Sequence, residues 1–93
     1  MEQNPLPSLT LKSTNLQLAA AFLSGLTDAT LQGFEDDPFD KTRKAIIISY
    51  PASMKFEADK IIQTFEDKTI VVNLFYYTRN LNYLRDKLFK RGR

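Results

Sequence analysis

Two stretches of this chain gather side chains able to do chemistry. In the first, Tyr76, Tyr77 and Tyr83 are interleaved with Arg79, Arg85, Lys87, Lys90 and Arg91, and only Asp86 opposes them. Cations displace the counterions of phosphates and aromatic rings stack on bases, so the chemistry on offer is nucleic-acid binding. The same residues have a plainer use. Cations in a last helical turn complement the helix dipole, and tyrosines often pack half-buried with a wet hydroxyl. The charge excess is small beside the strongly basic faces of nucleic-acid binders. A membrane-surface role is weaker still, because a broad apolar belt is missing.

The second stretch is acidic: Glu35, Asp36, Asp37 and Asp40 surround Pro38 and Phe39. Hard cations need several oxygen ligands at set spacing. The alternating acids, central glycine and distant glutamate of an EF-hand loop do not occur here. The segment reads as a solvated loop or as a docking surface for a basic partner. No metal or other cofactor is expected.

Catalysis has little to build on. The chain has no histidine and no cysteine, which removes the commonest general base, the usual triad member and thiolate metal sites. Lysine, tyrosine and carboxylates remain, but no motif places them. No glycine-rich loop opens a helix, so a nucleotide-type phosphate cradle is not supported. The expectation is a non-enzymatic protein.

The elements that must carry these residues are clearest in the second half. Lys44–Tyr50 is a β-branched apolar run with three consecutive isoleucines, as in a central strand covered on both faces. Pro51 ends it and Ser53 can cap the next helix, whose buried face is Phe56, Ala58, Ile61, Ile62 and Phe65. Thr69–Tyr77 reads as a second strand, and Thr78 as the cap of a last helix striped by Leu81, Leu84 and Leu88. Two strands joined through a helix lie parallel, and the rim at their carboxyl ends, with Phe75–Tyr77 and Pro51–Ser53, is where such sheets bind ligands. Earlier, Ser8–Leu11 is a short edge strand. Ser13 or Thr14 caps a helix from about Asn15 to Ser24, and Gly25 stands where a left-handed residue would end it. Residues 26–32 alternate loosely, with Thr27, Ala29 and Leu31 on one face of a strand, or they extend the helix. Gly33–Asp40 is a loop from which Phe34 and Phe39 pack down.

The totals suit one small domain. With 93 residues, 43% hydrophobic and 26% charged, the chain has ordinary globular values. Met1–Pro7 is expected to be a flexible N-terminus and residues 8–93 a single α/β domain. The fold class is a β-α-β-α C-terminal half in a mixed sheet of three or four strands, with helices mainly on one face. Charge is uneven. Residues 1–43 hold three basic and six acidic side chains, −3, whereas residues 44–93 hold ten and five, +5. Such asymmetry steers charged partners or pairs like molecules head to tail. No apolar run approaches the ~20 residues that span a bilayer. Residues 16–26 are apolar but follow no basic segment, so a signal peptide is not expected and a cytoplasmic location is.

Residues 44–77 resemble the core of the SepF family of bacterial cell-division proteins. The matching pieces are Glu57-Ala58-Asp59-Lys60-Ile61-Ile62 and Ile70-Val71-Val72-Asn73-Leu74. That family carries an FLSG-like segment after its second helix, followed by further strands. Here Phe22-Leu23-Ser24-Gly25 precedes the matched unit. The resemblance implies a dimeric adaptor that binds the tubulin-like division protein. Taken together, these readings favour a protein–protein interaction module that self-associates, with nucleic-acid binding through the basic C-terminal helix as the alternative.

Overall fold

A computed structural model of the chain describes residues 7–40 and 42–89. Three strands, β1 (Ser8–Ser13), β2 (Thr30–Asp36) and β3 (Lys44–Pro51), form one sheet in the order β1-β3-β2. Three helices, α1 (Leu16–Gly25), α2 (Lys55–Asp67) and α3 (Leu74–Phe89), complete the α/β domain. Both neighbour pairs are antiparallel. β1 and β2 therefore run parallel to each other with β3 threaded between them, a split β-α-β arrangement.

β3 is central, as its isoleucines indicate, but only one face of the sheet is covered. Ile46, Ile48 and Tyr50 are buried, while Ile47 is half-buried on the other face. Leu9 and Leu11 lie opposite Tyr50 and Ile48, and Leu31 and Phe34 lie opposite Ile48 and Ile46. All of these pack into the helix layer. On the open face Lys12 reaches across β3 to Glu35 (3.2 Å).

β2 reaches further than its composition suggests. Gly33–Asp36 belong to the strand, and a bulge between Leu31 and Gly33 makes Gln32 an extra residue. The bulge resets the alternation, so Leu31 and Phe34, three apart, both face the core. Gly33 sits at φ 154°, a backbone position that side chains rarely adopt.

α1 is the keystone of the helix layer. Ala19, Ala20, Ala21 and Phe22 are consecutive and all buried, because the helix touches the sheet, α2 and α3 at once. Phe22 meets Tyr50 edge-on, with ring centroids 5.2 Å apart. The helix is capped by Asn15, whose Oδ1 accepts from the N–H groups of Gln17 (2.9 Å) and Leu18 (3.1 Å). Ser13 supports the cap by accepting from the Asn15 N–H. Gly25 is the last helical residue and is not left-handed. A Cβ there would stand 2.7 Å from the tip of the Ile61 side chain, which packs from α2 against this end of α1.

The expected second parallel strand, Thr69–Tyr77, is corrected. Residues 69–73 join two helices without pairing, and α3 takes Leu74–Tyr77. Two local signals decide this. Lys68 adopts the left-handed conformation (φ 63°, ψ 29°) and ends α2, with the Thr69 and Ile70 N–H groups both donating to the Thr64 carbonyl. Asn73, not Thr78, caps α3, its Oδ1 accepting from the Tyr76 N–H (3.1 Å). The apolar stripe of α3 then runs Tyr77, Leu81, Leu84, Leu88, with Leu84 in the buried core cluster and the other three packed against it. The sheet is consequently antiparallel rather than mixed, and the rim expected at two parallel strand ends is not formed. Three further expectations fail on the surface. Phe56 is 77% and Phe39 96% exposed, so neither packs down. Ser53 lies within a short 3₁₀ turn, Ala52–Met54, and makes no capping bond.

Candidate functional site

The outer face of α3 gathers what the sequence scatters. With about 100° between successive residues, Phe75, Tyr76, Arg79, Tyr83 and Lys87 fall on one side of the helix and the Tyr77–Leu88 stripe on the other. The cations lie against the rings. The Arg79 guanidinium is 5.3 Å from the Tyr76 centroid and 5.8 Å from that of Phe75, and Lys87 Nζ is 5.4 Å from the Tyr83 centroid. Such contacts draw a cation to the ring face and are worth about 0.5–1 kcal/mol at an exposed site. Phe75 and Tyr76 meet edge-on at 5.4 Å. The face is wet but largely apolar: Phe75 is two-thirds exposed and Tyr76 and Tyr83 nearly half. Leu74 and Val71 extend the exposed apolar surface toward α2.

The remaining basic and aromatic candidates separate. Arg85, six residues from Arg79, projects about 120° away around the helix. It is exposed but apart from the stripe. Tyr77 is half-buried and packs against the core, so its part is structural. Lys90 and Arg91 lie outside the described residues.

A shallow groove of about 370 Å³ runs along this face where α3 meets the end of α1, lined by Leu23, Ser24, Thr27, Tyr76, Arg79 and Asn80. Asn80 Nδ2 donates to Ser24 Oγ (3.2 Å), tying the two helices at the groove floor. Residue-level reading missed Asn80 and placed Phe75 at a strand-end rim rather than on a helix face. The signal for both was Asn73, whose capping role starts the helical period three residues before the tyrosines.

The acidic stretch is divided between strand and loop. Glu35 and Asp36 close β2, where Glu35 pairs with Lys12 and Asp36 with Lys44. Asp37 accepts from the Phe39 N–H (2.9 Å), and Asp40 accepts from both the N–H and the hydroxyl of Thr42 (3.0 and 2.6 Å). These bonds to Thr42, helped by Arg43 nearby, hold the Asp40 carboxyl below its ordinary value. Among the described residues no group of carboxylates is arranged to hold a metal ion. The loop instead exposes Phe39, with Asp37 and Asp40 and the cations Lys41 and Arg43 close to it in sequence.

The two features lie at opposite ends of the helix layer. The base of the acidic loop (Thr42–Lys44) adjoins Thr14, Leu16 and Leu88 around a second groove. That is the start of α1 and the end of α3, whereas the aromatic groove lies at the end of α1 and the start of α3. The antiparallel packing of α1 on α3 places about 12 Å of helix between them, at 1.5 Å per residue.

Among the described residues no helix is long and apolar enough to cross a membrane. No family model matches the chain, and no curated protein or solved structure matches it either.

Proposed function

We propose that this protein is a non-enzymatic interaction module that self-associates, as a homodimer, and is recruited to a larger cytoplasmic assembly. The observation that carries the reading is the outer face of α3: exposed rings with cations lying against them. Aromatic residues and arginine are the types enriched where protein interfaces concentrate their binding energy. The resemblance of residues 44–77 to the SepF family suggests one concrete assembly, that of a tubulin-like division protein; of its two matched pieces the helical one, Glu57–Ile62, keeps its form here and Ile70–Leu74 forms no strand. Mass measured by light scattering against concentration tests the reading. A mass that rises from monomer to dimer and ignores added nucleic acid is expected. A monomer at every concentration rejects it.

The interleaving of Arg79 and Lys87 with Tyr76 and Tyr83 favours a second reading, nucleic-acid binding along the same face. Its signature is affinity that falls steeply as salt rises. Reversing Arg79 and Lys87 to glutamate is expected to abolish it, and salt-insensitive binding would count against it.

A further inference from the structure

We propose that the outer edge of β1 pairs with the same edge of a second copy, antiparallel about a two-fold at Thr10, joining the two sheets into one. The inference rests on the self-association reading and adds the contact that makes it.

The phase of the ladder decides which backbone groups β1 has left to offer. In an antiparallel pair, opposed residues alternately exchange two hydrogen bonds and none. The Ala52 N–H donates to the Pro7 carbonyl (3.0 Å), one step beyond the Ser8–Pro51 pair. Leu9, Leu11 and Ser13 therefore turn their N–H and C=O groups to β3, while Ser8, Thr10 and Lys12 turn theirs outward. Pro51 fits that phase, because it stands opposite Ser8 in a pair that needs no N–H from it. β1 is an end strand, and among the described residues no strand meets its outward groups. Ser8, Thr10 and Lys12 are exposed.

The two edges of the sheet are not alike. β2 is interrupted by its bulge and closes on Glu35 and Asp36. β1 pairs residue for residue over Ser8–Ser13, with no proline and no bulge. Its one charge, Lys12, is matched by Glu35 across the open face. A regular end strand with so little charge is a template for another strand.

A second β1 is complementary to the first. With Thr10 opposite the partner's Thr10 and Ser8 opposite the partner's Lys12, every outward residue exchanges both of its bonds. Leu9 then faces the partner's Leu11 on the helix side. Both leucines are half-buried at the margin of the core, and the seam covers what they still expose. Sliding the strands by two residues leaves one outward residue of each copy unpaired. Sliding them by four sets Lys12 against the partner's Lys12, like charge on like. Bonds and charge therefore select the same register. The two-fold closes the contact on itself, as isologous interfaces do, and keeps both helix layers on one side of the joined sheet.

Amide exchange and light scattering test the seam together on the unaltered protein. As concentration takes the mass from monomer to dimer, exchange at Thr10 and Lys12 is expected to slow about tenfold or more, while Leu9 and Leu11 are protected throughout. Charge exchange at the two-fold adds a second readout. Thr10→Lys and Thr10→Glu are each expected to be monomeric where the parent is dimeric, because each homodimer would oppose like charges. Mixed in equal amounts they are expected to recover the dimer mass, and amide spectra verify that each variant keeps the fold. If the parent dimerises but exchange at Thr10 does not follow its mass, or folded variants stay dimeric, or the mixture stays monomeric, this seam is wrong and self-association stands on another surface. A parent that is monomeric at every concentration removes both.

Discussion

Asp40 shows how one side chain can shape a surface segment. Its carboxyl is held below the ordinary 3.8, first by the Thr42 hydroxyl, then by the Thr42 N–H and the Arg43 charge. A depressed carboxylate stabilises the folded loop above the ordinary value, and that contribution disappears as pH falls through the lowered one. The loop is therefore expected to stay ordered through pH 4 and to loosen below it. A carboxyl NMR titration of Asp40 should give a midpoint below 3.8, and Thr42→Val should raise it. Gly33 makes a different demand. At φ 154° there is open space around its missing Cβ, so crowding is not the obstacle; backbone conformation is. Gly33→Ala is expected to cost about 1–3 kcal/mol, read from the urea midpoint.

Among the elements, the join between α2 and α3 shows most clearly how competing signals resolve. Lys68 ends α2 in a left-handed conformation that costs a residue with a Cβ about 1 kcal/mol or more. Lys68→Gly is expected to raise stability by about 0.5–1 kcal/mol, measured by chemical denaturation. After it come Ile70, Val71 and Val72, whose composition says strand, yet no strand forms. A short apolar run has no period long enough to separate strand from the lead-in to a helix. The deciding information lay in Asn73 and in the spacing of Tyr77, Leu81, Leu84 and Leu88, which is helical throughout. The β3 strand, α2 and most of α3 were legible because their patterns are long and regular. β2 was not, because its bulge breaks the alternation on which a strand is recognised. The candidate site was legible in residue types, as rings among cations. It was not legible in membership, because Arg85 and Tyr77 turn away by helical phase and Phe75 joins only once the helix begins at Leu74.

For the molecule as a whole, the core is one thin layer. Among the described residues of α3, Leu84 is the one that is fully buried in the cluster joining α1 to the sheet, with Tyr77, Leu81 and Leu88 packed around it. Leu84→Ala is expected to cost about 2–5 kcal/mol. That is a large share of the ~5–15 kcal/mol that a domain has in total, and calorimetry should show a fall in melting temperature of several degrees or outright unfolding.

The bulge at Gln32 also bears on how concentrated solutions of this protein behave. Deleting Gln32 leaves Leu31, Gly33 and Phe34 in simple alternation, so every core side chain keeps its face. What changes is the rim of the sheet. An unbroken outer β2 would offer a straight row of amides and carbonyls, the template on which stray chains stack into fibrils. The shortened protein is expected to fold normally and yet to form thioflavin-positive aggregates sooner than its parent. By that measure one surplus glutamine, which adds nothing to the interior, keeps the protein dispersed.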